Sequence, residues 1–203
     1  GMELRNVTAI TQDQEGGLWL CDQLRGVSRV WHDKIRVFPS GPELPSQVVN
    51  AAVTDPQGNV WLGFQDGGIS RYRDGEFQLF NVPQSVLALH CDRNGRIWAA
   101  GLGGLSRFEN DHFETLETTS HFPHSELSGL VEDDQGYFWI ASRAGLVRVA
   151  PKELDKAFAN PAYEIEYDVY GLADGLRGFP RHTRPLSIAA KSRDGHIWFA
   201  TTA

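Results

Sequence analysis

Short apolar stretches with alternating polar positions, separated by glycine-containing turns, recur along the chain. Residues 48–55 form one such stretch, and Pro-Gln-Gly at residues 56–58 forms a turn after it. Three further stretches follow at residues 60–63, 68–72 and 76–80, and Asp-Gly at residues 74–75 joins the last two. Alternation with period two is typical of β-strands, and Asp-Gly suits the positive φ angles of a hairpin turn. The pattern predicts four short antiparallel strands in this segment.

The same unit is repeated along the chain as the motif D-x-x-G-x-x-W. Four full copies begin at Asp13, Asp55, Asp92 and Asp133 and end at Trp19, Trp61, Trp98 and Trp139. A fifth copy ends at Trp198 and has Ser192 in place of the Asp. A second signature, Gly-apolar-x-Arg, follows each of the first four Trp residues and begins at Gly26, Gly68, Gly104 and Gly145. A repeat of this period with four strands in each copy favours the blades of a β-propeller.

We therefore predict an all-β fold made of four-stranded antiparallel β-propeller blades. Four complete repeats are expected at residues 7–40, 48–82, 85–118 and 127–170, and the first two strands of a fifth at residues 186–203. These repeats make one predicted domain, residues 7–203, which is a partial propeller. Residues 1–6 are interpreted as a cloning remnant and a short N-terminal segment. Residues 151–158 have helical character and interrupt the long interval between Trp139 and Trp198.

The repeated residues are interpreted as scaffold. Each Trp can fill the gap between two neighbouring blades and bury roughly 150–250 Å² there, so all five, Trp198 included, are predicted to be core residues. The Asp of each motif is predicted to hold its turn by accepting backbone N–H bonds, and a metal or acid–base role is the weaker alternative. Function is expected where the copies differ.

Candidate binding residues lie on the loops that vary between the copies. The first and third links of each blade are short and share one end, so the variable links lie at the opposite end, where binding residues concentrate. Guanidinium and amide groups bind carboxylates and hydroxyls, and aromatic rings stack on sugars, so a polar small molecule or an oligosaccharide is the expected ligand. For each candidate, the alternative is a solvated loop residue or a contact to a further blade. The candidates are Asp22, Arg25, Phe64, Gln65, Asp66, His124, Arg143, Arg181, His182 and Arg184.

Composition narrows the functional classes. The chain has 203 residues, 41% of them apolar and 22% charged, as in a globular protein. A net charge of −7 without a basic block argues against nucleic-acid binding. No apolar stretch reaches the roughly 18 residues of a membrane helix, and the first residues lack the apolar region of a signal peptide. Cys21 and Cys91 are too few for a disulfide framework or a four-cysteine zinc site, and no metal or cofactor is predicted.

The combined pattern, D-x-x-G-x-[ILFV]-W-[IL] followed by G-[GV]-[LIV]-x-R-[FYV], resembles the two-component regulator propeller repeat, and the resemblance extends over residues 7–203. It implies a periplasmic sensor propeller of a bacterial sensor or hybrid histidine kinase. The parent protein is then a membrane-anchored member of a phosphorelay, and this chain itself is not an enzyme. Propellers of that family usually have seven blades, which need roughly 280 residues. We therefore expect a truncated chain or a half-propeller completed by another copy.

Two alternative functions remain open. A lyase similar to the streptogramin-inactivating enzymes would use a His and an acid as general base and general acid, with His124 and His182 as the candidates. A protein-interaction scaffold would dock partners on the propeller edge or on its open end. Unpaired strand edges promote self-association, so this alternative includes a homo-oligomer joined through the open ends.

Overall fold

The fold consists of successive four-stranded antiparallel sheets, each built from strands that are consecutive in the chain. The structure, a computed structural model, describes residues 6–45, 48–117, 126–180 and 188–202. The first sheet contains β1 (Val7–Gln12), β2 (Leu18–Asp22), β3 (Gly26–Trp31) and β4 (Lys34–Phe38). The second contains β5 (Val49–Thr54), β6 (Val60–Phe64), β7 (Ile69–Arg73) and β8 (Glu76–Phe80).

The third and fourth sheets repeat this plan, and two strands of a further sheet follow. The third contains β9 (Val86–Cys91), β10 (Ile97–Gly101), β11 (Gly104–Glu109) and β12 (His112–Glu117). The fourth contains β13 (Leu127–Glu132), β14 (Phe138–Ser142), β15 (Gly145–Val149) and β16 (Tyr167–Tyr170), and β17 (Ala189–Lys191) pairs with β18 (Ile197–Phe199). The predicted architecture of four complete four-stranded units and two strands of a fifth is confirmed.

A helical insertion separates the third and fourth strands of the fourth sheet. Helix α1 (Pro151–Ala159) begins with a proline, whose missing N–H costs nothing in the first turn of a helix. Leu154 and Ala157 are buried against the third and fourth sheets. The predicted helical stretch at residues 151–158 therefore forms, and a short 3₁₀ turn (Leu172–Asp174) follows β16.

The first strand of each sheet lies beside the first strand of the next. Contacts join β1 to β5, β5 to β9, β9 to β13 and β13 to β17. The first strands are therefore successive neighbours, and the other three strands of each sheet follow in order on the far side of its first strand. This is the arrangement of blades in a propeller.

Tight turns within each blade depend on residues that tolerate positive φ. Gly58 has a φ of +87° in the second D-x-x-G turn, and its amide N–H donates to the carbonyl of Asp55 at 3.0 Å. The hairpin between β7 and β8 places Asp74 at +52° and Gly75 at +94°, which is the geometry that Asp-Gly suits.

Aromatic residues fill the interfaces between sheets. The Trp19 ring lies 4.9 Å from Phe38 in its own sheet and 4.8 Å from Tyr72 in the next one, measured between ring centroids. Trp61 repeats this arrangement with Phe108 of the third sheet, at 4.8 Å. Trp19, Trp61 and Trp98 are almost fully buried, so three of the five repeated Trp residues are core residues as predicted.

The last two repeated Trp residues are less covered. Trp139 is half-buried and stacks on Tyr170 of its own sheet at 5.3 Å. Trp198 is 65% exposed, so the prediction that it is a core residue is wrong. Burial of this Trp requires a following sheet, and none packs on it within the described part of the chain.

The recurrence of the motif Asp in the repeats is explained by its hydrogen bonds. One carboxylate oxygen of Asp13 accepts the backbone N–H groups of Glu15 (3.1 Å) and Gly17 (2.8 Å). The other accepts Trp19 Nε1–H (2.8 Å) and Arg29 Nε–H (2.6 Å). Burial raises the pKa of Asp13, but the bonds from Arg29, Trp19 and Gly17 outweigh it and the net shift is downward. The carboxylate thus ties the turn to the Trp strand and the Arg strand.

Candidate ligand-binding face

The strand order separates two ends of the blades. Because each sheet is antiparallel and its strands are consecutive, the D-x-x-G turns lie at the same end as the links between third and fourth strands, which are hairpins in the first three sheets and the helical insertion in the fourth. The loops after the second strands and the connections between sheets lie at the other end, which we call the loop face. Every candidate binding residue that the structure describes belongs to this face or to the strand end directly beneath it.

A cavity of about 350 Å³ opens on the loop face between the first sheet and the connection that leads to the second sheet. Val27, Phe38 and Leu44 are buried and form its apolar floor. Gln23 and Arg25, on the loop after β2, contribute polar groups to its wall. The cavity therefore combines an apolar base with a guanidinium and an amide, which suits a ligand that has both a hydrocarbon face and polar or anionic groups.

Asp22 shapes the loop that carries Arg25. It is buried, and its Oδ1 accepts the backbone N–H groups of Leu24 (2.9 Å) and Arg25 (3.1 Å). Its Oδ2 accepts the backbone N–H of Asn6 at 3.1 Å. These bonds occupy both oxygens, so Asp22 positions the binding loop, whereas direct ligand contact falls to its neighbours.

The candidates of the second sheet are divided between core and surface. Phe64 is fully buried in the core between the first and second sheets, out of reach of a surface ligand. The Gln65 backbone N–H donates to the carbonyl of Val48 at 2.9 Å, and the Asp66 side chain is exposed on the same turn. Gln65 and Asp66 thus lie on the loop face, but neither lines the cavity.

The remaining candidates lie farther along the chain. Arg143 is 66% exposed on the fourth sheet, and its Nε is 2.6 Å from Glu126 Oε2 in a surface ion pair. Four candidates lie outside the described residues, so their assignment to the binding site stays a prediction: His124, Arg181, His182 and Arg184. Arg25 is the predicted candidate that lines the cavity beside the first sheet.

Sequence reasoning missed the floor of the cavity and the part played by Gln23. The floor residues carry no chemical signature, since they repeat the apolar pattern of every blade. Loop length is the one signal that was available: the connection between the first two sheets, residues 39–48, is long, and Pro39, Ser40 and Pro45 also line the cavity.

A second polar cluster lies on the first strands of the third and fourth sheets. His90 Nε2 is 3.9 Å from Glu132 Oε2, and Glu132 also accepts the backbone N–H of Arg93 at 2.9 Å. Burial lowers the pKa of His90, and the opposing effect of Glu132 does not reverse that shift. At neutral pH His90 is therefore uncharged, as expected for a packed histidine.

Metal and thiol chemistry find no support among the described residues. No group of three or more His, Cys, Asp or Glu side chains there is arranged to hold a metal ion. Burial raises the pKa of the Cys21 thiol to about 12 and that of Cys91 to about 11, so neither forms a nucleophilic thiolate near neutral pH. No helix in the described part is long and apolar enough to cross a membrane.

The fold defines a repeat protein of the β-propeller class. Within that class, the family model described as two component regulator propeller matches residues 43–66, which covers the end of the first connection and the Trp strand of the second repeat. The resemblance that the repeated motifs indicated is thereby confirmed. No curated protein matches the chain in sequence.

Solved structures share the fold at low sequence identity. Virginiamycin B lyase from Staphylococcus aureus matches with a TM-score of 0.71 and 16% identity, over 96% of this chain and 62% of that one. A protein described as the extracellular domain of a hybrid two component system from B. thetaiotaomicron matches with a TM-score of 0.60 and 17% identity, over 96% of this chain and 32% of that one. A gluconolactonase from Xanthomonas campestris matches with a TM-score of 0.63 and 10% identity, over 96% of this chain and 69% of that one.

These likenesses establish the fold and leave the activity open, because sensor domains and enzymes share it. The chain spans 62% of the length of the lyase and 32% of that of the hybrid-system domain. The function of neither protein is thereby assigned to this chain.

Proposed function

We propose that this chain is a sensor propeller of a two-component signalling protein, located outside the cytoplasm, that binds a polar small molecule or an oligosaccharide on its loop face. The match to the two component regulator propeller model is the observation that carries the proposal. The similarity to an extracellular domain of a hybrid two component system supports both the sensor role and the location. In this proposal the chain binds and does not catalyse, and a histidine kinase module of the parent protein supplies the output.

The cavity at the loop face is the proposed binding site. The Arg25 guanidinium offers a planar pair of donors that matches a carboxylate or two adjacent hydroxyls. Gln23 adds an amide that both donates and accepts, and the apolar floor suits the C–H face of a sugar ring. An oligosaccharide that carries a carboxylate, such as one containing a uronic acid, uses all three features.

Binding is tested by isothermal titration of the purified chain with matched neutral and uronate-containing oligosaccharides. Arg25→Ala should weaken binding of the acidic sugar about tenfold or more, since a hydrogen bond to a charged group contributes roughly 1.5–3 kcal/mol. Gln23→Ala should weaken the acidic and the neutral sugar alike. Arg143→Ala is the matched control, because it removes an arginine from the same face far from the cavity.

Equal loss of affinity in Arg25→Ala and Arg143→Ala would place the ligand elsewhere on the loop face. Absence of binding by any polar ligand in the panel, with a folded protein, contradicts the ligand class. The signalling role has its own test: the region is fused in front of the membrane segment and kinase of a known sensor, and ligand-dependent output is measured. Ligand binding without any change in output would contradict the sensor role alone.

An enzymatic function is the second candidate, favoured by the fold similarity to virginiamycin B lyase. In that case His124 and His182 supply the acid–base chemistry. The chain is incubated with a streptogramin B antibiotic, and ring opening is followed by mass spectrometry. Turnover that His124→Ala or His182→Ala abolishes would replace the sensor proposal with a lyase, and absence of turnover by the folded chain favours binding alone.

A further inference from the structure

The connection that leads from the first sheet to the second contains a tight turn. The Gly41 N–H donates to the carbonyl of Leu44 at 2.8 Å, and the Leu44 N–H donates to the carbonyl of Gly41 at 3.2 Å. Pro42 and Glu43 form the two-residue tip between them. The reciprocal backbone bonds and the fixed φ of Pro42 restrict the conformation of this turn, so it moves as one unit.

The tip of the turn is bound to the second sheet. The Ser70 hydroxyl on β7 donates to the carbonyl of Glu43. The Leu79 backbone N–H on β8 donates to the Glu43 carboxylate at 2.8 Å. Ser70 and Leu79 are paired in register on adjacent strands, so one residue of the connection bonds both of them. We call these two hydrogen bonds the Glu43 clasp.

The residues beside the tip form one wall of the cavity on the loop face. Ser40 and Leu44 both line this cavity, and Leu44 is buried in the core between the first two sheets. Gln23 and Arg25 belong to the wall that the first sheet provides. Because Glu43 ties the turn to the second sheet, the separation of the two walls depends on the Glu43 clasp.

The length of this connection explains why it needs such an attachment. It extends over residues 39–48, whereas the next connection, residues 81–85, is shorter. In that shorter connection Gln84 donates directly to the Ser106 hydroxyl at 2.9 Å. Each ordered residue costs conformational entropy, so a longer connection requires more contacts to stay in one position.

A wall that is free to move lowers the affinity of the cavity. When only a fraction of the molecules has the binding-competent wall, the apparent affinity falls by that fraction. The Glu43 side chain is exposed, so a substitution there weakens the clasp without opening the core. The coupling is reciprocal, so a ligand that fills the cavity also stabilises the clasp and its bond to Leu79.

We propose that Glu43 is a positioning residue of the ligand site. It holds one wall of the loop-face cavity in the binding position, and it links occupancy of the cavity to the second sheet. This inference rests on the proposed function, since it concerns the same cavity. Glu43 acts without touching the ligand: its effect on affinity passes through Ser40 and Leu44, and its effect on the second sheet passes through the clasp.

The first test uses the ligand-free chain. Amide hydrogen exchange, followed by two-dimensional NMR, reports how often the backbone N–H groups of Leu44 and Leu79 lose their bonds. Glu43→Ala should speed both exchange rates about fivefold, the effect of one hydrogen bond. Glu43→Gln keeps an oxygen that accepts from Leu79 and should stay near the wild type. Glu76→Ala is the control, because it removes an exposed side chain at the other end of β8.

The second test titrates the same variants with a trimer of galacturonic acid and with a neutral galactose trimer. Glu43→Ala should weaken both sugars about fivefold, since the wall serves either of them, and Glu43→Gln should bind as the wild type does. Arg25→Ala should weaken the acidic sugar selectively. In the wild type, bound acidic trimer should slow the exchange of the Leu79 N–H, and Glu43→Ala should abolish this slowing.

Three results overturn this proposal alone. One is unchanged exchange of the Leu44 N–H in Glu43→Ala. Another is unchanged sugar affinity in that variant, or a Glu43→Gln variant that binds as weakly as Glu43→Ala. The third is sugar binding that leaves the exchange of the Leu79 N–H unaltered. Absence of binding by every sugar of the panel contradicts the proposed function, and this proposal with it, so the two failures are distinguishable.

Discussion

Replacing one repeated Trp at a time measures how much of the stability resides in the interfaces between blades. Trp61→Ala and Trp198→Ala make the same chemical change at equivalent positions of the repeat. Trp61 is almost fully buried, whereas Trp198 is 65% exposed. The two variants therefore separate the role of the motif from the role of burial.

The expected loss in free energy of unfolding for Trp61→Ala follows from the residues that surround the ring. Its ring packs against Phe80, Phe108 and Phe113, and its Nε1–H donates to Asp55 at 2.8 Å. Removing a buried Trp costs about 3–5 kcal/mol in lost transfer free energy and residual cavity. Asp55 keeps the backbone N–H bonds of its turn, so the lost indole bond adds little beyond this. We expect a decrease of about 4 kcal/mol in the free energy of unfolding.

Trp198→Ala should change that free energy by no more than about 0.5 kcal/mol, as is usual for an exposed side chain. Urea unfolding is followed by far-UV circular dichroism, because tryptophan fluorescence changes with the substitution itself. The measurements are made at micromolar concentration or below, so that self-association through the exposed Trp198 face does not contribute. The reasoning is refuted if Trp198→Ala destabilises the protein as much as Trp61→Ala does.

Three further predictions concern buried polar groups. In the native protein at pH 8, Cys21 and Cys91 should resist alkylation by iodoacetamide, since their raised pKa values keep them protonated; unfolding in urea should expose both to rapid labelling. Burial lowers the pKa of His90 below 6.5, so the neutral ring contributes its full stability above pH 6.5 and that contribution is lost as the pH falls below this value. Tm should therefore decline more between pH 7.5 and 5 in the wild type than in His90→Gln. Ser70→Ala should lower the free energy of unfolding by about 1 kcal/mol because it breaks the bond to the Glu43 carbonyl. Ser28 holds the equivalent position in the first repeat, and its hydroxyl has no hydrogen-bond partner among the described residues, so Ser28→Ala should be neutral or stabilising. Chemical denaturation that ranks the two variants in the reverse order contradicts this reasoning.

Strand positions and turn positions could be predicted because their causes are local. The Asp at the start of each motif and the Gly three residues later are close in the chain, and the turn they form is a property of that segment alone. The pairing of Asp13 with Arg29 could not be predicted in this way, because the equivalent Arg71 donates to Gln78 although both positions recur in register. The propeller class followed from the motif before any contact between sheets was known.

The candidate site was recovered only in part, since loop residues were selected by chemistry and not by orientation. Arg25 lines the cavity, but Phe64, chosen as an aromatic that stacks on sugars, is packed in the core. Asp22 has its oxygens occupied by backbone N–H groups. Whether a polar side chain faces a ligand or holds its own loop depends on hydrogen bonds that residue type does not specify.

The sequence by itself determined the repeating unit, its four strands and the turns between them, because neighbouring residues in the chain decide each of these. Tertiary structure alone decided which copies of the motif are buried. Trp61 and Trp198 share the Gly-x-apolar-Trp pattern of the motif, yet one is enclosed by the aromatic residues of the next sheet and the other is exposed. Burial depends on what packs against a surface, and for a blade that is a segment about 40 residues away or another chain.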